Sequence, residues 1–316
     1  MDDMTLKKSK ILIVGGTGFI GRHLVARCLR ETPFVTVLGL PEKSSEEIFQ
    51  KCHELISVDI QSKEALQSAL KGKHFEYVFN LGGYIDHTHY LKGGRSVIES
   101  HFIGLMNLID CLDVGGIKGF VQVGSSDEYG DSKSPQIETM REKPISPYSF
   151  AKIAASHFIQ MLSKIEGFPG VVVRFFLVYG PGQNDQRFLP QIIKSCLADE
   201  SFKTSEGKQL RDFCYVEDAV EALIIAALSS KAKSNIINIA SGKPVAVRQM
   251  VEKIIEITGG GKPLWGEHPY RAGENMELYA DISLSKKLLG WKPKIDLDEG
   301  LKKTIDYYRN IEEGDK

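Results

Sequence analysis

Short apolar runs at 10–14, 34–38, 54–58, 76–81, 119–123 and 171–176 punctuate the first 180 residues, each rich in Val, Ile, Leu or Phe and bounded by Gly, Asn or Pro. Runs that are apolar on both faces suit strands buried on both sides of a parallel sheet. Between them the period changes to that of a helix. Ile20, Leu24 and Cys28 share one face, and Phe102, Met106 and Ile109 share another at i, i+4, i+7. This βαβα rhythm predicts an α/β fold, a Rossmann-type doubly wound parallel sheet.

After Gly180-Pro181-Gly182 the segments become longer, more polar and less regular. Helices are expected near 185–198 and 246–258, and an apolar helix at 216–229 and a strand at 235–239 are expected to return to the sheet. The predicted organisation is a dinucleotide-binding domain over 1–181, rejoined by 215–240. A smaller, interleaved C-terminal substrate lobe comes from 182–214 and 241–316.

Composition narrows the class. The formal net charge of −1 gives no field that favours nucleic acid or an anionic membrane. The five cysteines, 28, 52, 111, 196 and 214, form no CxxC pair, which argues against a disulfide framework or a zinc site and fits a reducing compartment. The basic stretch before Ile11-Leu12-Ile13-Val14 imitates a leader peptide, but four apolar residues are too few for its core. A cytoplasmic protein without a membrane span is the expectation.

Candidate chemistry begins at Val14-Gly15-Gly16-Thr17-Gly18-Phe19-Ile20-Gly21, which fits both GxxGxxG and GxGxxG. Glycines there permit a tight turn and let the backbone approach a pyrophosphate at the amino end of a helix. The pattern follows an apolar strand and opens an amphipathic helix, the context that gives it meaning. Gly15, Gly18, Phe19, Ile20 and Gly21 are therefore candidate cofactor contacts, with Leu81 and Gly82 after the fourth strand. Asp59-Ile60 suits an adenine-side contact, although Asp59 suits a cap equally well. An acid for the ribose 2′-hydroxyl belongs at the end of the second strand, where Gly39 stands instead. NAD and NADP both stay open; the missing carboxylate leans towards NADP, whose 2′-phosphate Arg22, Lys43 or Ser44 could attract.

Tyr148 and Lys152 stand at i and i+4 and share a helix face. With 11 tyrosines in the chain, about one YxxxK arises by chance, and Tyr129 with Lys133 is a second match. Context separates them. Ser146-Pro147 supplies an N-cap and a first-turn proline before a periodic run, whereas Tyr129 precedes Gly-Asp-Ser, a turn. An ammonium beside a phenol lowers a pKa otherwise near 10 towards the working pH. Ser125, at the end of the fifth strand, is placed to add a hydroxyl donor.

Gly15 to Gly21, Ser125, Tyr148 and Lys152 together resemble the extended short-chain dehydrogenase/reductases, the NAD-dependent epimerase/dehydratase family. Arg174 to Gly182, Gln209 to Asp218 and Leu288 to Pro293 are similar to that family's later motifs, so the likeness spans nearly the whole chain. The resemblance implies that Tyr148 is the acid/base, Lys152 its activator and a cofactor ligand, and Ser125 a partner of the sugar oxygen. It places Ser126, Arg211, Arg271 and Glu274 on a nucleotide-sugar substrate, the arginines against phosphate. Leu177 and His101 stand where asparagine is common in relatives. His87 and His89 fall near the mouth of the site and form no metal motif.

The implied activity is redox chemistry at C4 of a nucleotide-activated sugar, as epimerase, 4-ketoreductase or 4-dehydrogenase. Asp127, two residues before Tyr129-Gly130, keeps a 4,6-dehydratase open as the alternative, because dehydratases of this kind carry an acid there. A non-catalytic nucleotide sensor is the reading from another class; the intact Ser125, Tyr148 and Lys152 argue against it. Apolar stripes near 97–112 and 148–165 predict a homodimer through a four-helix interface.

Overall fold

The computed structural model describes residues 5–40, 47–270 and 273–314. Lys43, Ser44 and Arg271 lie outside the described residues.

Seven strands form one parallel sheet: β1 (Ile11–Val14), β2 (Val35–Gly39), β3 (Glu54–Ser57), β4 (Tyr77–Asn80), β5 (Gly119–Ser125), β6 (Gly170–Phe175) and β7 (Ile236–Ile239). Their spatial order is β3-β2-β1-β4-β5-β6-β7, the doubly wound arrangement. Alternate side chains feed two cores. Ile11, Ile13, Val121, Val123, Val171 and Val173 pack on one face; Leu12, Val14, Phe120 and Val172 pack on the other. Both faces are covered, so the strands read as unbroken apolar runs rather than as alternation.

Strand order reverses between β1 and β4, which pair in parallel from Ile11 with Tyr77 to Val14 with Asn80. A crevice therefore opens at the carboxyl ends of these strands. Its floor is the turn after β1, which leads into the helix Phe19–Leu29, and its wall is Leu81-Gly82 after β4.

Two long helical segments cover the sheet beside β5. One runs Arg95–Ile98, opens into a π-helical turn over Glu99–Ile103 and resumes at Gly104–Cys111. The other is Pro147–Ile165, started by Ser146, whose hydroxyl accepts the Ser149 N–H at 3.1 Å. Phe102 and Phe158 join the two edge to face, with centroids 6.0 Å apart.

The remaining strands build smaller sheets. Leu210–Tyr215 pairs antiparallel with Pro244–Ala246 and parallel with Glu277–Leu278 and Leu177–Tyr179; Ser201–Thr204 pairs with Lys262–Trp265. Helices Phe188–Leu197, Val247–Thr258 and Leu297–Gly314 surround them. One apolar cluster joins this part to the large sheet, since Ile193, Met250 and Leu301 pack in the same core as Ile13 and Val121. Helix Val216–Leu228 links the parts further. The Asp218 carboxylate accepts the main-chain N–H groups of Lys294 and Ile295, and Trp291 Nε1 donates to its carbonyl oxygen at 3.1 Å. No helix among the described residues is long and apolar enough to cross a membrane.

Candidate active site

The turn after β1 is built from close backbone contacts. Gly15 has φ +73°, and a Cβ there would lie 2.8 Å from the Leu81 carbonyl oxygen. A Cβ on Gly21 would stand 2.2 Å from the Gly15 oxygen, so only glycine lets the helix approach the strand this closely. Gly18 differs: its Cβ would meet only the Gly15 oxygen, at 3.2 Å. Gly18 is also the N-cap of Phe19–Leu29, and no side chain caps that helix. Uncapped amides with the positive end of a helix dipole, bared by glycine at the switch point, fit a dinucleotide pyrophosphate. At the end of β2, a Cβ on Gly39 would lie 2.7 Å from Thr17 Oγ1, so the Thr17 side chain fills the space an acid would need. Asp59 is exposed and accepts the Gln61 N–H at 2.9 Å, while Ile60 is buried under Gly82 and Gly104.

Ser125 ends β5 and caps a single 3₁₀ turn, Ser126–Tyr129. Its hydroxyl accepts the Asp127 N–H at 3.2 Å and stands beside the Tyr148 phenol. Tyr148 sits in the first turn of Pro147–Ile165 and is buried, which holds its pKa well above the usual phenol range, not below it as expected from Lys152; the Asp127 charge adds to that rise, and Ser125 opposes it. One helical turn on, Lys152 is buried with Nζ 5.7 Å from the Tyr148 ring centroid. Burial lowers its pKa to about 8, against the opposing pull of the Glu128 and Asp127 carboxylates.

Two histidines face the same phenol. His101 lies in the π-helical turn, 5.1 Å from the Tyr148 ring and edge-on to it, and its Nε2 donates to the Tyr84 carbonyl at 2.7 Å. Burial, aided by the Lys152 charge, lowers its pKa to about 3, so the ring is neutral. A Cβ on Gly83 would collide with that ring at 2.2 Å. His87 is half-exposed, 5.6 Å from the Tyr148 ring, with Nε2 3.6 Å from Asp127 Oδ2. Burial raises the pKa of Asp127, and His87 opposes the rise. His89 is exposed nearby.

The second YxxxK match stands in a different setting. Tyr129 is fully buried beneath the turn, and its hydroxyl donates to Asn238 Oδ1 at 2.7 Å. Lys133 is exposed.

On the strand Leu210–Tyr215, Arg211 forms an ion pair with Glu274. Arg211 Nη1 also donates to the Leu210 carbonyl at 2.8 Å. Leu177 opens its short strand half-buried, beside Phe213. Ser126 is buried at the start of the 3₁₀ turn.

This geometry has known counterparts. The family model described as the NAD dependent epimerase/dehydratase family matches residues 11–240, from β1 to just past β7. The chain belongs to the NAD-dependent epimerase/dehydratase family. It is thus an enzyme of the nucleotide-sugar-modifying, nicotinamide-dinucleotide-dependent kind. A putative UDP-glucose 4-epimerase of Methanocaldococcus jannaschii is 28% identical over 309 residues, covering 95% of this chain and 98% of that protein. The crystal structure of a UDP-glucose 4-epimerase from Thermotoga maritima with UDP-glucose superposes with a TM-score of 0.88 at 27% identity, over 96% of this chain and 99% of that one. MoeE5 in complex with UDP-glucuronic acid and NAD gives a TM-score of 0.82 at 28% identity, again over 96% and 99%.

Glu128 is the residue that sequence reading passed over. It is fully buried, directly beneath Ser125. A signal was present, since Ser125-Ser126-Asp127-Glu128 has the S-x-x-E spacing of a capping box.

Proposed function

We propose that this family member performs NAD(P)-dependent redox chemistry at C4 of a nucleotide-activated sugar. The observation that carries the reading is the meeting of the Ser125 hydroxyl, at the carboxyl end of β5, with the buried Tyr148 phenol, Lys152 standing one helical turn behind. A dinucleotide held by the glycine turn and Lys152 would supply or accept the hydride through its nicotinamide and, when oxidised, would add positive charge that favours the phenolate. Tyr148 Oη takes the proton of the C4 hydroxyl during oxidation and returns one during reduction, and Ser125 orients the same oxygen. Burial, helped by the Asp127 charge, favours the protonated phenol, the form needed to donate to a keto sugar.

Arg211 and Glu274 are the proposed contacts to the nucleotide side of the substrate, with Arg271 and Ser126. Their mutual ion pair pre-orients the guanidinium for phosphate. NADP(H) use is proposed from the space at Gly39, which Thr17 fills and no carboxylate guards; the NAD bound by MoeE5 makes NAD the competing choice. Titrating the protein with each cofactor decides between them.

Asp127 supports a second reading, 4,6-dehydration. Burial biases its carboxyl towards the protonated form, and it lies beside Ser125 and His87, so it could protonate a leaving hydroxyl. A panel of nucleotide sugars and their 4-keto forms tests both readings through absorbance of reduced nicotinamide and product mass. Net cofactor turnover supports a reductase or dehydrogenase, and an isomer without net turnover supports an epimerase. Loss of water supports the second reading, and no change with any substrate contradicts both.

A further inference from the structure

We propose that Glu128 is the positioning residue of this active site: one carboxylate oxygen sets the main chain of Ser125, and the other ties it to the helix that carries Tyr148 and Lys152. The inference rests on the reading of those three residues as the catalytic set.

Every part of the Glu128 carboxylate is used. Oε1 accepts the Ser125 N–H at 2.8 Å. Oε2 accepts the Ser156 hydroxyl at 2.8 Å and Arg174 Nε at 2.8 Å, with Arg174 Nη2 at 2.7 Å. Ser156 lies one turn beyond Lys152 on the same helix face. The carboxylate therefore bridges β5, β6 and the helix Pro147–Ile165. Arg174, on β6, is itself held by Glu142 Oε1 at 2.7 Å and stacks 4.7 Å above the Tyr129 ring.

The backbone is shaped for this group. A Cβ on Gly124 would come within 2.5 Å of Glu128 Oε1 and 3.0 Å of Arg174 Cγ, so the glycine before Ser125 makes room for the pair. A cap on an exposed turn needs no such burial, because solvent would supply the same acceptor. A buried ion pair is a poor source of net stability, since the desolvation of both charges offsets their attraction. Its placement between the catalytic hydroxyl and the catalytic helix gives it a use that stability does not. Electrostatics points the same way. Lys152 faces Tyr148 on its own helix, Asp127 and Glu128 from the turn after β5, and His101 from the π-helical turn. Of these, Glu128 is the strongest charge holding Lys152 protonated against burial.

The test uses the full chain carrying lysine labelled with ¹³C at Cε, whose shift follows the protonation of each amine. Lys152 is assigned by the signal missing from Lys152→Arg. In Glu128→Gln the Lys152 midpoint is expected to fall below the wild-type value of about 8. In Glu128→Ala, which removes the acceptor, hydrogen exchange at the Ser125 amide is expected to quicken about tenfold or more, the size of one lost bond to a charged acceptor. A folded Glu128→Gln protein with an unmoved Lys152 midpoint, or a folded Glu128→Ala protein with an unmoved Ser125 exchange rate, overturns the proposal. Should those variants fail to fold, Ser156→Ala decides. Faster exchange in the helix around Lys152, with the Ser125 amide still protected, supports the bridge, and unchanged exchange there refutes it. Turnover retained by Tyr148→Phe would instead strike the reading of the catalytic set, whatever these measurements give.

Discussion

Lys152 Nζ donates to the carbonyl oxygen of Val123 at 2.9 Å, two residues before Ser125 on β5. The helix that carries Tyr148 is thus pinned to β5 by the lysine itself. Its ammonium is lost as the pH rises through about 8. Turnover is expected to fall on the alkaline side with a midpoint near that value. Lys152→Met is expected to lose about a hundredfold or more in kcat and to lack this limb. The sign of the linkage separates the effect from unfolding. The folded-state value lies below 10.5, so between the two values only the unfolded chain holds the proton, and this group's contribution to stability rises with pH. Rate against pH, with thermal melts over the same range, checks both.

Gly18 and Gly21 are expected to respond differently to a side chain. Gly18→Val meets only one backbone oxygen, so the chain folds while binding of NAD or NADP weakens. Gly21→Ala drives a Cβ into the Gly15 carbonyl and is expected to destabilise the fold by roughly 1–3 kcal/mol, as overpacking does. Titration calorimetry and melting of the two variants test the pair. Unchanged cofactor affinity in Gly18→Val contradicts the cofactor site.

The helices that predict an assembly carry exposed apolar residues, Ile103 on one and Phe150, Met161 and Ile165 on the other. A second copy of the chain placed on this face would bury them in a four-helix interface. Light scattering at micromolar concentration is expected to give a dimer, and Phe150→Glu to shift it to monomer. A wild-type chain that is monomeric throughout contradicts the expectation.

Much of the fold was legible because buried parallel strands leave short apolar runs between glycines. β1, β2, β3 and β6 fall within one residue of the runs at 10–14, 34–38, 54–58 and 171–176. Ser201–Thr204 and Lys262–Trp265 were not legible, since their half-exposed, lysine-bearing sequences lack the alternation that marks a strand. At the site, Ser146-Pro147 located the helix of Tyr148 because capping is a local interaction. The roles of Glu128, His101 and Arg211 depend on partners far along the chain, at Arg174, Tyr84 and Glu274. No periodicity carries that information. A charged residue reads as solvated until its counter-ion is known.

Tyr148→Phe beside Tyr129→Phe is the measurement that tests the central claim most directly. Both substitutions keep a ring in a buried place and remove one hydroxyl. At Tyr148 the lost atom is the one proposed to move the proton, so turnover is expected to fall by about 10²–10⁴-fold, with cofactor affinity and melting nearly unchanged. At Tyr129 the lost atom donates to Asn238 and lies beside Arg174 but has no part in the proposed proton transfer, so the expected cost is about 1–2 kcal/mol of stability, with turnover reduced far less than in Tyr148→Phe. A dead Tyr129→Phe variant and an active Tyr148→Phe variant would contradict the account.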